Sequence, residues 1–343
     1  MFANGVSAAG VSSSIPSDLT TVGTVFSQSD LTGQWALQSI GVTPLTVNWT
    51  WAVLSVVADG TAEFSSLASS LPTRPQPPVT VTLTPGGVVS LAGTDFRGVM
   101  SSSKDLVVWT ASLPSMGKVL RLLLKRSGGH TPQGLVGSFN FHRLKGMNGD
   151  TGTARGSWAR GRLVVASDLG ISAPAASFET SDPAHNAAAD FTGVLSVADD
   201  GSVSLSTNTT FRGSVSPDGN TVVATDTDQG EQFLLVLQRS GTGFVSADLN
   251  GTWSFRRLEF WPETLAEWAY GKASIASGVA TLLETAPATE PGDPVPVELS
   301  SDGLVMLTGD PAFRGVLSVD RGLLVGTTSA DSGATSEMVL LVK

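Results

Sequence analysis

Leu31-Thr-Gly-Gln-Trp35 opens a pattern that returns twice, as Leu135-Val-Gly-Ser-Phe139 and Leu249-Asn-Gly-Thr-Trp253. A Trp-Ala pair follows each opening, at Trp51-Ala52, Trp158-Ala159 and Trp268-Ala269. Next comes a Phe-Arg-Gly triplet, at Phe96-Arg97-Gly98, Phe211-Arg212-Gly213 and Phe313-Arg314-Gly315. Each copy closes on an apolar run that ends in a basic residue, Arg126, Arg239 or Lys343. Markers in a fixed order with matching gaps are the signature of a duplicated module. The spacing of about 110 residues gives each copy enough chain for its own core, unlike short solenoid repeats that must stack to be stable. The chain therefore divides into a polar arm, 1–29, and three repeats, 30–133, 134–247 and 248–343.

The arm is low in complexity and lacks helical periodicity, so it reads as extended or partly disordered. Beyond it the pattern is almost entirely β. In the first repeat, Gly33 to Ile40 alternates apolar and polar residues as a half-buried strand does. Further strands are predicted over 49–57, 61–67, 79–83, 88–92, 96–101, 105–112 and 118–125. The prolines of Leu71-Pro-Thr-Arg-Pro-Gln-Pro-Pro78 make that stretch a loop. Asp-Gly turns at Asp200-Gly201, Asp218-Gly219 and Asp302-Gly303 mark hairpins in the later repeats. The fold class is all-β, with three tandem antiparallel repeats of about eight strands each, closed as small barrels that leave no sheet edge exposed. The alternative is one six-bladed β-propeller made by dividing each repeat into two four-stranded blades. Pro262 to Trp268 reads as a single short helix, confined to the third repeat.

The opening Gly-x-Trp and the closing basic residue resemble the calycin pattern of lipocalin, avidin and fatty-acid-binding barrels. In those barrels a first-strand Trp packs beneath a basic side chain from the last strand. The resemblance pairs Trp35 with Arg126, Phe139 with Arg239, and Trp253 with Lys343. A cation over an aromatic face would tie the first strand to the last. It implies a barrel and names no ligand.

Composition excludes several function classes. The chain has no cysteine, so disulfides, thiolate nucleophiles and Cys-ligated zinc are ruled out. Its formal charge of −10 disfavours nucleic acid as a partner. The net charge runs from +2 in the first repeat through −4 in the second to −7 in the third, a gradient suited to head-to-tail contact between chains. No apolar stretch is long enough for a membrane-spanning helix. The first residues lack the basic and apolar segments of a signal peptide. A mature chain at the cell surface or outside the cell is the expectation, with a cytoplasmic protein as the alternative.

Residues able to do chemistry are sparse. His130, His142 and His185 fall at unmatched places in the repeats and lack metal-ligand spacing. Asp226-Thr-Asp-Gln-Gly-Glu231 begins like a calcium loop but fits a hairpin turn better. No nucleophile elbow, phosphate loop or zinc motif is present, so no enzyme activity, cofactor or metal is expected. Strand alternation puts Phe and Gly of each triplet on one face and Arg97, Arg212 and Arg314 on the other. Those arginines are candidates for a repeated contact, although a stem lying over the neighbouring strand and pairing with a nearby carboxylate explains them better. Phe260, Trp261, Trp268 and Tyr270 form the densest aromatic cluster and a candidate interaction patch.

These features predict a non-enzymatic structural or interaction protein, associating with itself or with another surface protein. The alternative is a module that binds a small molecule or carbohydrate inside its barrels.

Overall fold

In the computed structural model, Trp35, Phe139 and Trp253 each begin a ring of antiparallel strands. Residues 24–343 are described, except 44–45, 73–75, 93, 95, 114–116, 148–154, 183–187, 189–190, 229, 262–265, 287–292 and 330–334. Most of the amino-terminal arm, His185 and the start of the expected short helix lie outside the described residues.

The first ring contains β1 (Gly33–Val42), β2 (Val47–Val56), β3 (Thr61–Ser69), β4 (Val79–Leu83), β5 (Val88–Leu91), β6 (Arg97–Met100), β7 (Leu106–Leu113) and β8 (Gly117–Lys125). Neighbours in sequence pair throughout, and β8 returns to β1. The second contains β9 (Gly137–Met147), β10 (Arg155–Val165), β11 (Gly170–Ser172), β12 (Glu179–Thr180), β13 (Gly193–Val197), β14 (Ser202–Leu205), β15 (Asn208–Val215), β16 (Thr221–Asp228) and β17 (Glu231–Arg239). Here β11 and β12 share one edge of β10, and the β10–β11 pairing closes an eight-stranded ring. Pro174 lies between them, where an unbroken third strand could not continue its ladder. The third contains β18 (Gly251–Phe260), β19 (Glu267–Ala276), β20 (Val279–Ala286), β21 (Val295–Leu299), β22 (Leu304–Leu307), β23 (Asp310–Leu317), β24 (Leu323–Thr328) and β25 (Ser336–Val342), again closed.

The three tandem eight-stranded barrels are thus those expected from the repeats. The propeller is excluded, because each last strand pairs with its own first strand. Trp268 lies on strand β19, so the expected helix does not reach it.

The calycin-like closure is present, with one correction. Arg239 lies 4.7 Å from the Phe139 ring centre, and Lys343 lies 4.7 Å from that of Trp253. Over Trp35 the cation is Lys125, at 5.6 Å, rather than Arg126. The register explains this: Lys125 stands directly across from Trp35, whereas Arg126 is one residue past the strand. Lys125 and Lys343 donate to the carbonyls of Asp30 and Asp248, and the Trp35 and Trp253 indoles donate to those of Leu31 and Leu249. Arg126 turns instead to the second barrel, where it meets Asp200 and the Ser202 hydroxyl.

Each lumen has an apolar core, and a fourth core lies between the barrels. The closing strands are apolar on both faces, which makes this possible. In β8, Val119 and Leu123 face the lumen, while Leu120, Leu122 and Leu124 enter the shared core. Val223, Leu234 and Val236 of the second barrel join them, as do Val325, Met338 and Leu340 of the third.

The barrels contact one another cyclically. The first two strands of barrel 1 meet β16 and β17; those of barrel 2 meet β24 and β25; those of barrel 3 meet β7 and β8. The register makes Trp49, Trp158 and Trp268 equivalent, since they stand opposite Ile40, Leu144 and Leu258. The Trp-Ala marker had aligned Trp51 with the other two, two residues out of register. Each of the equivalent indoles donates to a hydroxyl of the next barrel: Trp49 to Thr227 at 2.7 Å, Trp158 to Ser329 at 2.7 Å, and Trp268 to Ser112 at 2.8 Å. A head-to-tail arrangement therefore exists within the chain, and its repetition closes a ring.

Candidate functional site: the lumen of the first barrel

The repeated arginines have local partners. Arg97, Arg212 and Arg314 each fold back to donate to the carbonyl of the preceding Phe, all at 2.8 Å. Arg212 and Arg314 also donate to Thr209 and Pro311. Phe96, Phe211 and Phe313 point into the lumens, as alternation predicted.

In the aromatic cluster of the third repeat, Phe260 and Trp268 turn toward the core between the barrels. Phe260 is buried in the shared core, and Trp268 packs against that core. Tyr270 stacks on Trp268 with ring centres 5.6 Å apart, and the Arg256 guanidinium lies 5.2 Å from the Tyr270 ring centre. Trp261 follows β18 and is half-buried.

The two described histidines, His130 and His142, do not come together. His130 packs over Gly201, where an added Cβ would meet its ring at 3.1 Å, and it pairs with Ser127. His142 is buried between barrels 2 and 3, with Nδ1 3.1 Å from the Thr327 hydroxyl. Burial, reinforced by Arg160, pushes its pKa down to about 3. Its register equivalents are Gln38 and Arg256, so one interface position carries three different polar side chains. Asp226 to Glu231 spans the β16–β17 hairpin, where Asp228 pairs with Glu231. Among the described residues no group of His, Asp and Glu could hold a metal ion.

What distinguishes the repeats is the content of their lumens. In barrel 2, Lys145 forms a buried ion pair with Glu231. Asp226 accepts hydrogen bonds from Asn208 and Thr210, and burial pushes its pKa up to about 6. Arg143 lies 4.6 Å from the Phe191 ring centre and lines the lumen. A cavity of about 260 Å³ is left. In barrel 3, Arg257 stands between Glu259 at 3.4 Å and Glu337 at 3.6 Å. Burial pushes the Glu337 carboxyl up to about 7 against the pull of Arg257.

Barrel 1 is hollow. Its lumen holds a cavity of about 720 Å³, within the ~300–1,000 Å³ typical of small-molecule sites. The wall is overwhelmingly aliphatic and aromatic. Trp35 lies fully buried at one end, while Pro72 and Gln76, both exposed, line the other. Thus the Pro-rich β3–β4 connection forms part of the mouth. Arg121 is the one ionisable lining residue among those described. It donates to the Ser39 hydroxyl at 3.3 Å and lies 5.8 Å from the Trp109 ring centre. Burial lowers its pKa to about 10, which leaves it charged at neutral pH.

Sequence reading missed this site. Its signal was Arg121 within the apolar run Val119 to Leu124, an interruption lacking at the matching positions of the other repeats, Leu235 and Val339.

No protein-family model matches the chain, and no curated protein matches it in sequence. Solved structures of similar arrangement include transferrin binding protein B from Neisseria meningitidis, at 8% identity over 90% of this chain and 76% of that one, with a TM-score of 0.28. The Trp-176-Ala mutant of transferrin binding protein B from Haemophilus parasuis gives 8% identity, 90% and 74% coverage, and a TM-score of 0.28. A protein of unknown function from the DUF3598 family of Nostoc punctiforme gives 10% identity, 92% and 97% coverage, and a TM-score of 0.24. Likeness at this level assigns no function to the chain.

Proposed function

We propose that this chain is a non-enzymatic binding protein that carries a small, largely apolar molecule in its first barrel. The observation behind this reading is the cavity of about 720 Å³ walled almost entirely by apolar side chains. Apolar voids of that size are costly to leave empty, and filling them removes apolar surface from water. Barrels 2 and 3 act as the frame, and the division into an arm and repeats at 30–133, 134–247 and 248–343 belongs to the same reading. Hexadecan-1-ol titrated calorimetrically into lipid-stripped protein tests it. Binding at one site with a Kd of ~1 µM or tighter supports it. No binding of this alcohol or of shorter alkanols argues against it.

A second reading is a structural or interaction protein at a bacterial surface, assembling with itself or with another surface protein. The change in net charge from +2 to −7 across the repeats favours it. Assembly would use outer surfaces, since the faces joined by Trp49, Trp158 and Trp268 are occupied within the chain. Light scattering over a range of salt concentrations tests it, and a strict monomer throughout would sink the self-assembly form.

A further inference from the structure

We infer that the outer seam between the third and first barrels is a docking surface for an acidic, extended segment of a partner protein, whose carboxylates meet Lys118 and Arg256. This rests on the second reading above, an interaction protein, and supplies its surface and the chemistry of its partner.

Four side chains build the surface as a stack. The Lys118 ammonium lies 5.7 Å from the Trp268 ring centre. Trp268 and Tyr270 stack with planes 12° apart. The Arg256 guanidinium lies 5.2 Å from the Tyr270 ring centre. Lys118 belongs to the first barrel and the other three to the third, so the stack straddles the seam. The Trp268 indole and the Lys118 ammonium both donate to the Ser112 hydroxyl, at 2.8 Å and 3.0 Å. Ser112 is exposed, and Lys118, Trp268 and Tyr270 are half-buried, so the stack opens to solvent. With each ring stacked on the other and carrying a cation, a partner meets charge and the positive ring edges rather than an open aromatic platform.

The cations are uncompensated. Arg256 is 5% exposed, and its hydrogen bonds go to the carbonyls of Arg97 at 3.2 Å and Phe255 at 2.7 Å. Among the described residues no carboxylate lies within ion-pair distance of Arg256, Lys118 or the exposed Arg97. Burial lowers the Arg256 pKa to about 10, which leaves it charged at neutral pH. Buried charges are ordinarily paired. A guanidinium held by carbonyls alone keeps its net charge, and its low-dielectric surroundings screen it less than water would.

This charge is particular to one seam. Register makes Arg256 equivalent to Gln38 and His142, and Lys118 equivalent to Gln232 and Ser336. Tyr270 is equivalent to Trp51 and Arg160. Arg160 also lies over a tryptophan, 4.2 Å from the Trp158 ring centre, but Glu179 pairs with it at 2.6 Å. The module thus omits or neutralises the cation at two seams and leaves two cations uncompensated at the third.

On a chain of net charge −10, such a patch selects a short acidic segment. A long uniform polyanion such as nucleic acid is repelled by the rest of the surface and has no open ring face to stack upon. An extended peptide sets carboxylates four residues apart at ~13 Å, the scale of a two-ring stack with a cation at each end.

Fluorescence anisotropy of labelled hexaglutamate and hexaglutamine on the full chain provides the test. At low salt hexaglutamate should bind at least ~10-fold more tightly than hexaglutamine, and high salt should erase the difference. Arg256→Gln and Lys118→Gln install the residues found at Gln38 and Gln232. Each should weaken hexaglutamate by about threefold to tenfold and leave hexaglutamine unchanged. Lys118→Gln, at a half-buried side chain, carries the comparison if Arg256→Gln melts early. Equal affinity for the two peptides, or undiminished hexaglutamate binding by the folded Lys118→Gln variant, would overturn the inference. Self-association in light scattering without hexaglutamate binding would overturn this surface and leave the interaction reading standing.

Discussion

Trp49 of the first barrel donates its indole hydrogen to the hydroxyl of Thr227 in the second, at 2.7 Å. The same bond recurs from Trp158 to Ser329 and from Trp268 to Ser112. Three covalently consecutive barrels are thereby joined by three copies of one contact. Replacing Trp158 by Phe keeps most of the buried ring and removes only the hydrogen bond. It is expected to cost ~1 kcal/mol in urea unfolding. Trp158→Ala, which also opens a cavity, should cost ~3–5 kcal/mol. Trp268 is only half-buried, so its Ala variant should cost less.

The cation that closes the first barrel is Lys125, which covers Trp35 and donates to the Asp30 carbonyl. Lys125→Met should lower stability by ~1 kcal/mol. Arg126→Ala should change it by less, because its partner Asp200 is 56% exposed and surface ion pairs contribute little. Thermal unfolding of the two variants side by side gives the ranking, and the reverse order would contradict the pairing.

His142 and Glu337 bend the pH profile in opposite directions. The His142 pKa is depressed to about 3 by burial, so protonation favours the unfolded chain. Its contribution is present above the unfolded value near 6.5 and is lost as pH falls toward 3. His142→Gln, which copies Gln38 at the equivalent position, should flatten that acid-side loss. Urea midpoints at pH 5 and pH 8 measure it.

Glu337 is raised to about 7 by burial, with Arg257 lowering it and Glu259 raising it further. The folded chain therefore holds a proton that the unfolded chain releases near 4.5. This contribution is full below 4.5 and is lost as pH rises through 7. Glu337→Gln should make the protein more stable at pH 8, by ~1–3 kcal/mol, with little change at pH 4.5. A variant less stable at pH 8 would show that the charged carboxylate is the stabilising form.

Much of the architecture was legible in the repeats. Gly33 to Ile40 is a strand, as its alternation predicted, although from Trp35 on it is buried on both faces rather than one, and the prolines of residues 71–78 do lie between β3 and β4. The shared core was harder to see. Leu120, Leu122 and Leu124 form one side of a run apolar on both faces, and that run reads equally as the lining of a single barrel. Register was harder still, because Trp49 and Trp51 lie on the same strand and only pairing with Ile40 identifies the equivalent one. The hollow lumen was out of reach, since a cavity is fixed by how opposing side chains of eight strands meet. Trp109 and Arg121 are far from Leu37 and Leu54 in sequence, yet all four line one wall.

The most direct measurement of lumen binding is a fluorescence titration with Nile red, a neutral polarity-sensitive dye, on the unmodified chain and on Leu54→Trp. Leu54 lies across from Trp35 in the cavity wall, so an indole there would take up space the dye needs. The unmodified chain should bind one dye molecule, and Leu54→Trp should lose binding while retaining its fold by circular dichroism. Undiminished binding to the folded, filled variant would place the dye elsewhere and contradict the lumen as the site.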